Sequence, residues 1–522
     1  MPGHLFVLRG DLTRLACDAV VLSCDDRLNI NPVWKPLLPP GLAPGDMDWL
    51  RLDDDRVGDN VIRLPQVDKR RVYAAITTPT NSDVTPGAVA QRIVDGIRAA
   101  ASGLQAQDGR HLPLIAVPLV GTGTGGLRDR RGEVIEALLP ALRSAAQGSD
   151  IALLLWNRPD LAAVQHRRTD GADWTELPPS LRLAADRLGE RAANGQLSLF
   201  IGAGVSRPVG LPDWWSLLKD LAREANLAVD WTASADPVEV ATPIVAELGD
   251  RFHDAVRERL GSSKHGIGHG LLAGLAVRQM VTTNFDPCME LALDAESTGE
   301  YRVLTRRISD ASMPWLLKLH GDINLPGSLV LDGAQYQTHA EEYAALHGVV
   351  QSLLLTSHLL FVGFSLTDRN FLKMAAAVAR VRRDAVVEEG SPLPPAGTAL
   401  ALTQHDRQDN DLDSQLELLS MTDAADPGAA ARILEIFLDR LAWTAARNRN
   451  LSAEYLLDER YATGLNADDR ALRDALHAFE DGVPASARQS AGWPRVEETL
   501  LALGGTRIAR PGPDPGAAPD QR

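Results

Sequence analysis

Four short clusters in the sequence carry side chains suited to chemistry, and each lies at the end of an apolar run of strand length. Gly202-Ala203-Gly204-Val205-Ser206 ends the run LSLFIG. Thr282-Thr283-Asn284-Phe285-Asp286 ends RQMVTT, His320-Gly321-Asp322 ends WLLKLH, and Gly363-Phe364-Ser365-Leu366-Thr367-Asp368 ends HLLFVG. The glycines at 202 and 204 let the backbone approach a pyrophosphate, with helix N–H groups aimed at it. Asn284 can hold a water or an amide, and Asp286 can accept from a carboxamide or a hydroxyl. His320 is the one side chain of the set that titrates near neutral pH, which makes it the natural general base. Pro212 and Asp213, ahead of Trp214, Leu217, Leu218 and Leu221, mark a helix start. Each cluster alone also has a plain structural reading. GAGVS can be a tight corner, TTNFD a helix cap, GFSLTD a turn with a cap, and His320 a satisfied structural histidine. Four of them in one order argue for a site, because ligands of an open α/β sheet sit beyond the carboxyl ends of its strands.

Two runs of alternating elements must position these groups. In the first, HLFVLRG (4–10), DAVVLSC (18–24), RVYAAIT (71–77), LPLIAVPLV (112–120) and IALLLWN (151–157) read as strands. Residues 87–104 and 131–146 between them have helical periodicity. In the second, strands are expected at 197–202, 278–283, 315–320, 358–363 and 398–403, apolar throughout and so buried on both faces. Residues 223–270 read as a small inserted helical lobe. The expected division is 1–165, a linker 166–195, 196–408, a helical region 409–505 and a disordered tail 506–522. Ile433, Phe437 and Leu441 share one face of a helix at 429–448, suited to a core or to an oligomer interface.

The chain's 522 residues suit two to four domains, and 45% hydrophobic with 23% charged residues is ordinary for a globular protein. No run is long enough for a membrane helix, and MPGHLFVLRGDL lacks the sections of a signal peptide, so a cytoplasmic protein is expected. Cys17, Cys24 and Cys288 form no CxxC pair, so no four-cysteine zinc module is expected. The net charge of −16 argues against direct nucleic-acid binding and favours a small-molecule or protein ligand.

The order GAGxS, TxNxD, a strand ending in L-H-G, then GxSL resembles the sirtuin family over about 197–405, and GLPDWW (210–215) looks like the family's G-I-P-D-F-R segment. The resemblance implies NAD binding and cleavage of the nicotinamide–ribose bond. It implies that Gly202, Ala203, Gly204 and Ser206 cradle the phosphates. Asp213 and Trp214 then fall in the cofactor-binding segment, and Asn284 and Asp286, with Thr282 at the head of their motif, at the nicotinamide and ribose pocket. His320 becomes the base on a ribose hydroxyl, and Gly363, Ser365 and Leu366 hold the adenosine side. The zinc module of protein-deacylating sirtuins is absent, and Trp215 replaces the Arg. GFSLTDRNF is similar to the bacterial defence branch, whose members hydrolyse NAD to nicotinamide and ADP-ribose. NAD is therefore expected as substrate, without zinc, with Asn284 and His320 catalytic, in an effector of anti-phage defence. A protein deacylase and a non-catalytic sensor acting through assembly are the alternatives.

RGDLTRLACDAVVLSCDD (9–26) and VPLVGTGTGGLRDRRGEVIEALLPAL (117–142) resemble the macrodomain family. By that resemblance Asp11 contacts adenine, and Gly121, Thr122, Gly123, Thr124, Gly125 and Gly126 wrap the diphosphate of ADP-ribose. Ser23-Cys24-Asp25-Asp26 stands where ADP-ribosyl hydrolases have a catalytic Asn, which favours binding over hydrolysis. The architecture expected is thus α/β and multidomain. A macrodomain-like layer precedes a doubly wound, Rossmann-like sirtuin domain with a small helical insertion, and a helical C-terminal region follows. ADP-ribose or a related signal nucleotide on the first domain would regulate the second, within a homo-oligomer or with a partner defence protein.

Overall fold

The computed structural model describes residues 2–38, 56–79, 84–122, 126–229, 231, 236–297, 301–304, 313–342, 344–384, 394–403, 415–423, 426–448 and 453–505. Gly123, Thr124, Gly125 and the expected disordered tail lie outside them.

The first sheet contains β1 (Leu5–Arg9), β2 (Ala19–Asp25), β3 (Val61–Val67), β4 (Arg70–Thr78), β5 (Leu114–Pro118) and β6 (Asp150–Leu155), in the order β1-β6-β5-β2-β4-β3. Every pairing is parallel except β3 with β4. The β3 strand is absent from the sequence expectation. Its segment VIRLPQV carries a proline and is half exposed, which an edge strand tolerates and a central one does not. Helix Pro86–Ala101 opens on Thr85, whose hydroxyl accepts from Ala88 N–H at 3.2 Å, and buries Val89, Ile93 and Ile97 against the sheet.

The second sheet is wholly parallel. It contains β7 (Leu197–Ile201), β8 (Gln279–Thr282), β9 (Arg302–Val303), β10 (Trp315–Lys318), β11 (His358–Val362), β12 (Gly397–Thr403) and β13 (Leu416–Thr422). Their order is β13-β12-β11-β7-β8-β10-β9. The β7 and β11 strands pair from Leu197–His358 to Ile201–Val362, which brings their carboxyl ends level. The strand β13 lies at the head of 409–505, whose described residues are otherwise mostly helical. Its segment LELLSMT is half buried on a sheet edge and lacks the continuous apolar run that marked the central strands.

Between the sheets runs helix Pro427–Asn448, packed along helix Pro179–Ala193. Helix Pro179–Ala193 is thus the end of the segment 166–195, and it packs on helix Pro427–Asn448. Phe437 and Leu441 are core, with Ile433 packed against it. The same helix buries Arg432, Glu435, Asp439 and Arg440, each held by an ion pair to residues outside it. A further apolar core joins helices Trp214–Glu224, Pro237–Leu248 and Phe252–Leu260 to Phe285, Ile323 and Leu331, so the helical lobe begins at Trp214. Among the described residues no helix is long and apolar enough to cross a membrane.

Candidate active site

The carboxyl ends of β7, β8, β10 and β11 open into a cleft of about 850 Å3, roofed by the helical lobe. Ala203, Gly204, Ser206, Asp213, Trp214, Asn284, Asp286, His320, Gly363 and Ser365 line it. A second, mainly apolar cavity of about 800 Å3 shares Gly204, Gly363, Phe364 and Ser365 with the first and continues past Leu366 to helix Pro427–Asn448. Residues of all four sequence clusters are thus brought together.

Asn284 is 8% exposed and its orientation is fixed. Its Nδ2 donates to the Gly202 carbonyl at 3.3 Å and to Ser206 Oγ at 3.2 Å. A carbonyl can only accept, so Oδ1 is the free end, and it is a buried oxygen with no hydrogen-bond partner among the described residues. His320 is 4% exposed, and its Nε2 likewise has no hydrogen-bond partner among them. Its Nδ1 lies 3.4 Å from Tyr336 Oη, which donates to Asp368 Oδ2 at 3.1 Å, while Asp368 Oδ2 stands 3.6 Å from Nε2. Burial pushes the His320 imidazole below its usual range, more than Asp368 raises it, so the ring is neutral at pH 7. The other Asp368 oxygen accepts from Phe371 N–H at 2.7 Å and caps helix Arg369–Asp384.

Ser206 is a hub. Its single hydroxyl proton goes to Asp286 Oδ2 at 2.9 Å, and its oxygen meets Asn284 Nδ2 and, at 3.2 Å, His269 Nε2. His269 Nδ1 accepts from Gly266 N–H at 3.2 Å, so Nε2 carries the proton toward Ser206. His269, Asp286 and Cys288 cluster closely enough to suggest metal ligands. Both ring nitrogens are engaged and Cys288 N–H donates to Asp286 Oδ1 at 3.0 Å, so the three residues take part in one hydrogen-bond network. Fully buried Lys318 fixes the loop from the other side, donating to the carbonyls of Phe285 at 2.9 Å and Asp286 at 2.8 Å and to Glu290 at 2.9 Å.

Several sequence expectations change in detail. Thr282 does not line the cleft. Its hydroxyl donates to the Ile201 carbonyl and accepts from Asn284 N–H, both at 3.0 Å, which locks the strand end. The Gly202 and Gly204 N–H groups are committed to the Val362 and Gly363 carbonyls at 2.9 Å, so these glycines serve close approach of two strand ends. A Cβ on Gly202 would lie 2.4 Å from the Gly363 oxygen, and one on Gly363, at φ +65°, 2.6 Å from Val205 N. Gly363→Ala is therefore expected to lower the melting temperature and to reduce ligand binding in the cleft, as calorimetry of the two proteins would show. Asp213 caps helix Trp214–Glu224 through Ser216 N–H at 2.8 Å, and the Trp214 ring lies tilted beside Phe285 with centroids 6.0 Å apart. Leu366 takes a left-handed φ of +58° and lines the apolar cavity.

In the first unit Asp11 is a local cap, accepting from Thr13 N–H at 2.9 Å and Thr13 Oγ1 at 2.8 Å. Gly121 and Gly126 have left-handed φ of +76° and +79°, as the glycine loop requires. The Thr122 carbonyl accepts from Arg131 at 3.2 Å. The start of helix Arg131–Ala145 is covered: a Cβ on Gly132 would lie 2.8 Å from the Tyr461 carbonyl.

Sequence reading missed His269, Lys318, Tyr336 and the second role of Asp368. A lysine inside the apolar run WLLKLH was the one visible signal, since a charge within a buried strand needs partners.

Residues 278–417 match the family model described as SIR2-like domain. The chain is 28% identical over 196 residues to the NAD(+) hydrolase ThsA of Acinetobacter baumannii, covering 36% of this chain and 40% of that one. It is 28% identical over 206 residues to NAD(+) hydrolase ThsA of Bacillus cereus, covering 37% and 42%. Defense-associated sirtuin 2 of Bacillus subtilis is 23% identical over 207 residues, covering 37% and 20%. The chain thus spans less than half the length of these relatives. A macrodomain of Oceanobacillus iheyensis is 17% identical, with a TM-score of 0.25, over 31% of this chain and 89% of that one. The strand ends, the cleft and the match over 278–417 agree in likening the second unit to a SIR2-like domain.

Proposed function

We propose that the chain hydrolyses NAD at the bond between nicotinamide and ribose, releasing nicotinamide and ADP-ribose. What carries this reading is the pair of buried acceptors, Asn284 Oδ1 and His320 Nε2, neither with a hydrogen-bond partner among the described residues, in one cleft between a glycine-built strand junction and a helical roof. A buried polar atom without a partner is rare and calls for a ligand or water. The names of the relatives support NAD as that ligand. The two joined cavities suit the two halves of a dinucleotide.

Nicotinamide leaves as a neutral group, so the site needs no strong acid. It must stabilise positive charge on ribose and deliver water. Asn284 Oδ1 would accept a hydrogen bond from that water, and neutral His320 would take a proton from water or a ribose hydroxyl. The Asp286 and Asp368 carboxylates line the same cleft and favour positive charge there. Consumption of NAD by this reaction would serve anti-phage defence by depletion, by analogy with the defence-associated relative.

A base held below its usual range stays deprotonated further into acid. The acid limb of kcat/KM for nicotinamide release is therefore expected below pH 6.5, the ordinary histidine value. A limb centred above 6.5 would contradict a buried neutral base. Nicotinamide release from NAD by the purified chain tests the function. Acetyl-lysine-dependent release of O-acetyl-ADP-ribose would point to a deacylase instead.

A further inference from the structure

A cavity of about 330 Å3 lies in the seam between the two units, away from the cleft just described. Cys17, Lys69 and Arg70 wall it from the first unit, and Pro208, Val209 and Lys264 from the second. Its charges are unevenly compensated. Arg70 is 3% exposed; its Nη1 donates to the Thr13 carbonyl at 3.2 Å, its Nη2 stands 3.5 Å from Asp68, and its side chain also faces the Cys17 thiol. Its Nε is buried without a hydrogen-bond partner among the described residues. Lys264 Nζ turns to the same Asp68, also at 3.5 Å, and that carboxylate is 62% exposed. One solvated carboxylate therefore serves two cations, one of them buried, where a buried charge ordinarily demands close pairing.

Two further carboxylates, Asp18 and Asp108, line the walls, but among the described residues neither forms an ion pair with Arg70 or Lys264. Arg110 is bound to Glu435 by two bonds of 2.9 Å. Asp18 accepts from Gln107 N–H at 3.0 Å and Leu114 N–H at 2.7 Å, so both its oxygens are engaged. Asp108 is exposed and stands against Gly210. Burial pushes the Cys17 thiol up to about 11, so it adds no negative charge. Lys69 brings a third cation, on a left-handed turn with φ of +49° at Asp68 and +65° at Lys69. Burial and then the neighbouring Arg70 hold the Lys264 ammonium below its usual range, as crowded cations require.

We infer that this seam binds a small phosphorylated ligand, with Arg70, Lys69 and Lys264 facing its phosphate. A guanidinium fork and two ammonium groups match a dianion. The volume lies at the small end of ligand cavities, which suits a nucleoside monophosphate or a sugar phosphate and is too small for a dinucleotide. Pro208 and Val209 belong to the segment Ala203–Val209, whose opposite side lines the large cleft. A bound phosphate would thus touch both units and the back of the glycine junction.

Calorimetry of the full chain with AMP, and separately with inorganic phosphate, tests this at low salt. Saturable binding is expected, roughly tenfold or more weaker in Lys264→Glu and in Lys69→Glu, and weaker as salt rises. Circular dichroism of the two variants should match the wild type. Equal affinity of phosphate and AMP assigns the site to the anion alone, and tighter AMP assigns it to a nucleotide. No binding to the wild type, or equal binding in wild type and both variants, would overturn the inference.

Discussion

Asn284→Ala and His320→Ala are each expected to lose at least about 100-fold in NAD turnover while the melting temperature changes little. Both side chains end in a buried acceptor that no described residue satisfies, so their removal takes away chemistry more than cohesion. Asn284→Asp is the sharper variant. It keeps the size, but replaces the Nδ2 donor that meets the Gly202 carbonyl at 3.3 Å and Ser206 Oγ at 3.2 Å. A carboxylate there would repel the carbonyl and disturb the hydroxyl shared with Asp286. Loss of turnover comparable to that of Asn284→Ala is expected. Full activity in Asn284→Asp would show that amide orientation is irrelevant, and full activity in His320→Ala would remove the base. Steady-state release of nicotinamide reads all three.

The largest effect on stability is expected at Asp439. This carboxylate, fully buried in helix Pro427–Asn448, accepts from Arg168 at 2.9 and 2.5 Å, His4 Nε2 at 2.9 Å and Trp174 Nε1 at 2.8 Å. Burial alone would raise the Asp439 carboxyl, but Arg168 and His4 outweigh it and hold the group below the usual carboxylate range. Asp439→Ala would leave the buried Arg168 cation with Asp173, at 3.6 Å, as its remaining carboxylate, and breaking a buried pair of this kind typically costs about 3–5 kcal/mol. The double variant Asp439→Leu with Arg168→Met removes both charges and is expected to be more stable than Asp439→Ala, though His4 and Trp174 would still lack their acceptor. The midpoint of urea unfolding measures both. A single variant within about 1 kcal/mol of wild type would mean that the ion pair does not hold the helix between the sheets.

The parts of this protein legible in its sequence are those set by local pattern. Parallel strands buried on both faces, such as Leu197–Ile201 and His358–Val362, are continuous apolar runs, and their glycine and polar ends mark where a ligand sits. Asn284 and His320 stand at two such strand ends. Edge strands escape the pattern because half their residues face solvent, as in Leu416–Thr422. Partners that meet only through the fold escape it as well. Nothing near His269 announces that its ring meets Ser206, 63 residues away, or that Lys318 holds the Phe285 and Asp286 carbonyls from the neighbouring strand. The same is true of helix Pro427–Asn448, whose charged residues suggest a solvated surface until Asp439 is seen to meet Arg168 across 271 positions. The glycines of 202–204 were legible as a tight junction. Their N–H groups turn out to bond the adjacent strand end, which shifts their role from donating to a phosphate toward permitting contact.

Incubation of the full chain with NAD, followed by chromatography of the products, tests the central claim most directly. Equimolar nicotinamide and ADP-ribose are expected from the wild type, with both lost in His320→Ala. NAD left intact by the wild type, or nicotinamide released equally by wild type and His320→Ala, would contradict it.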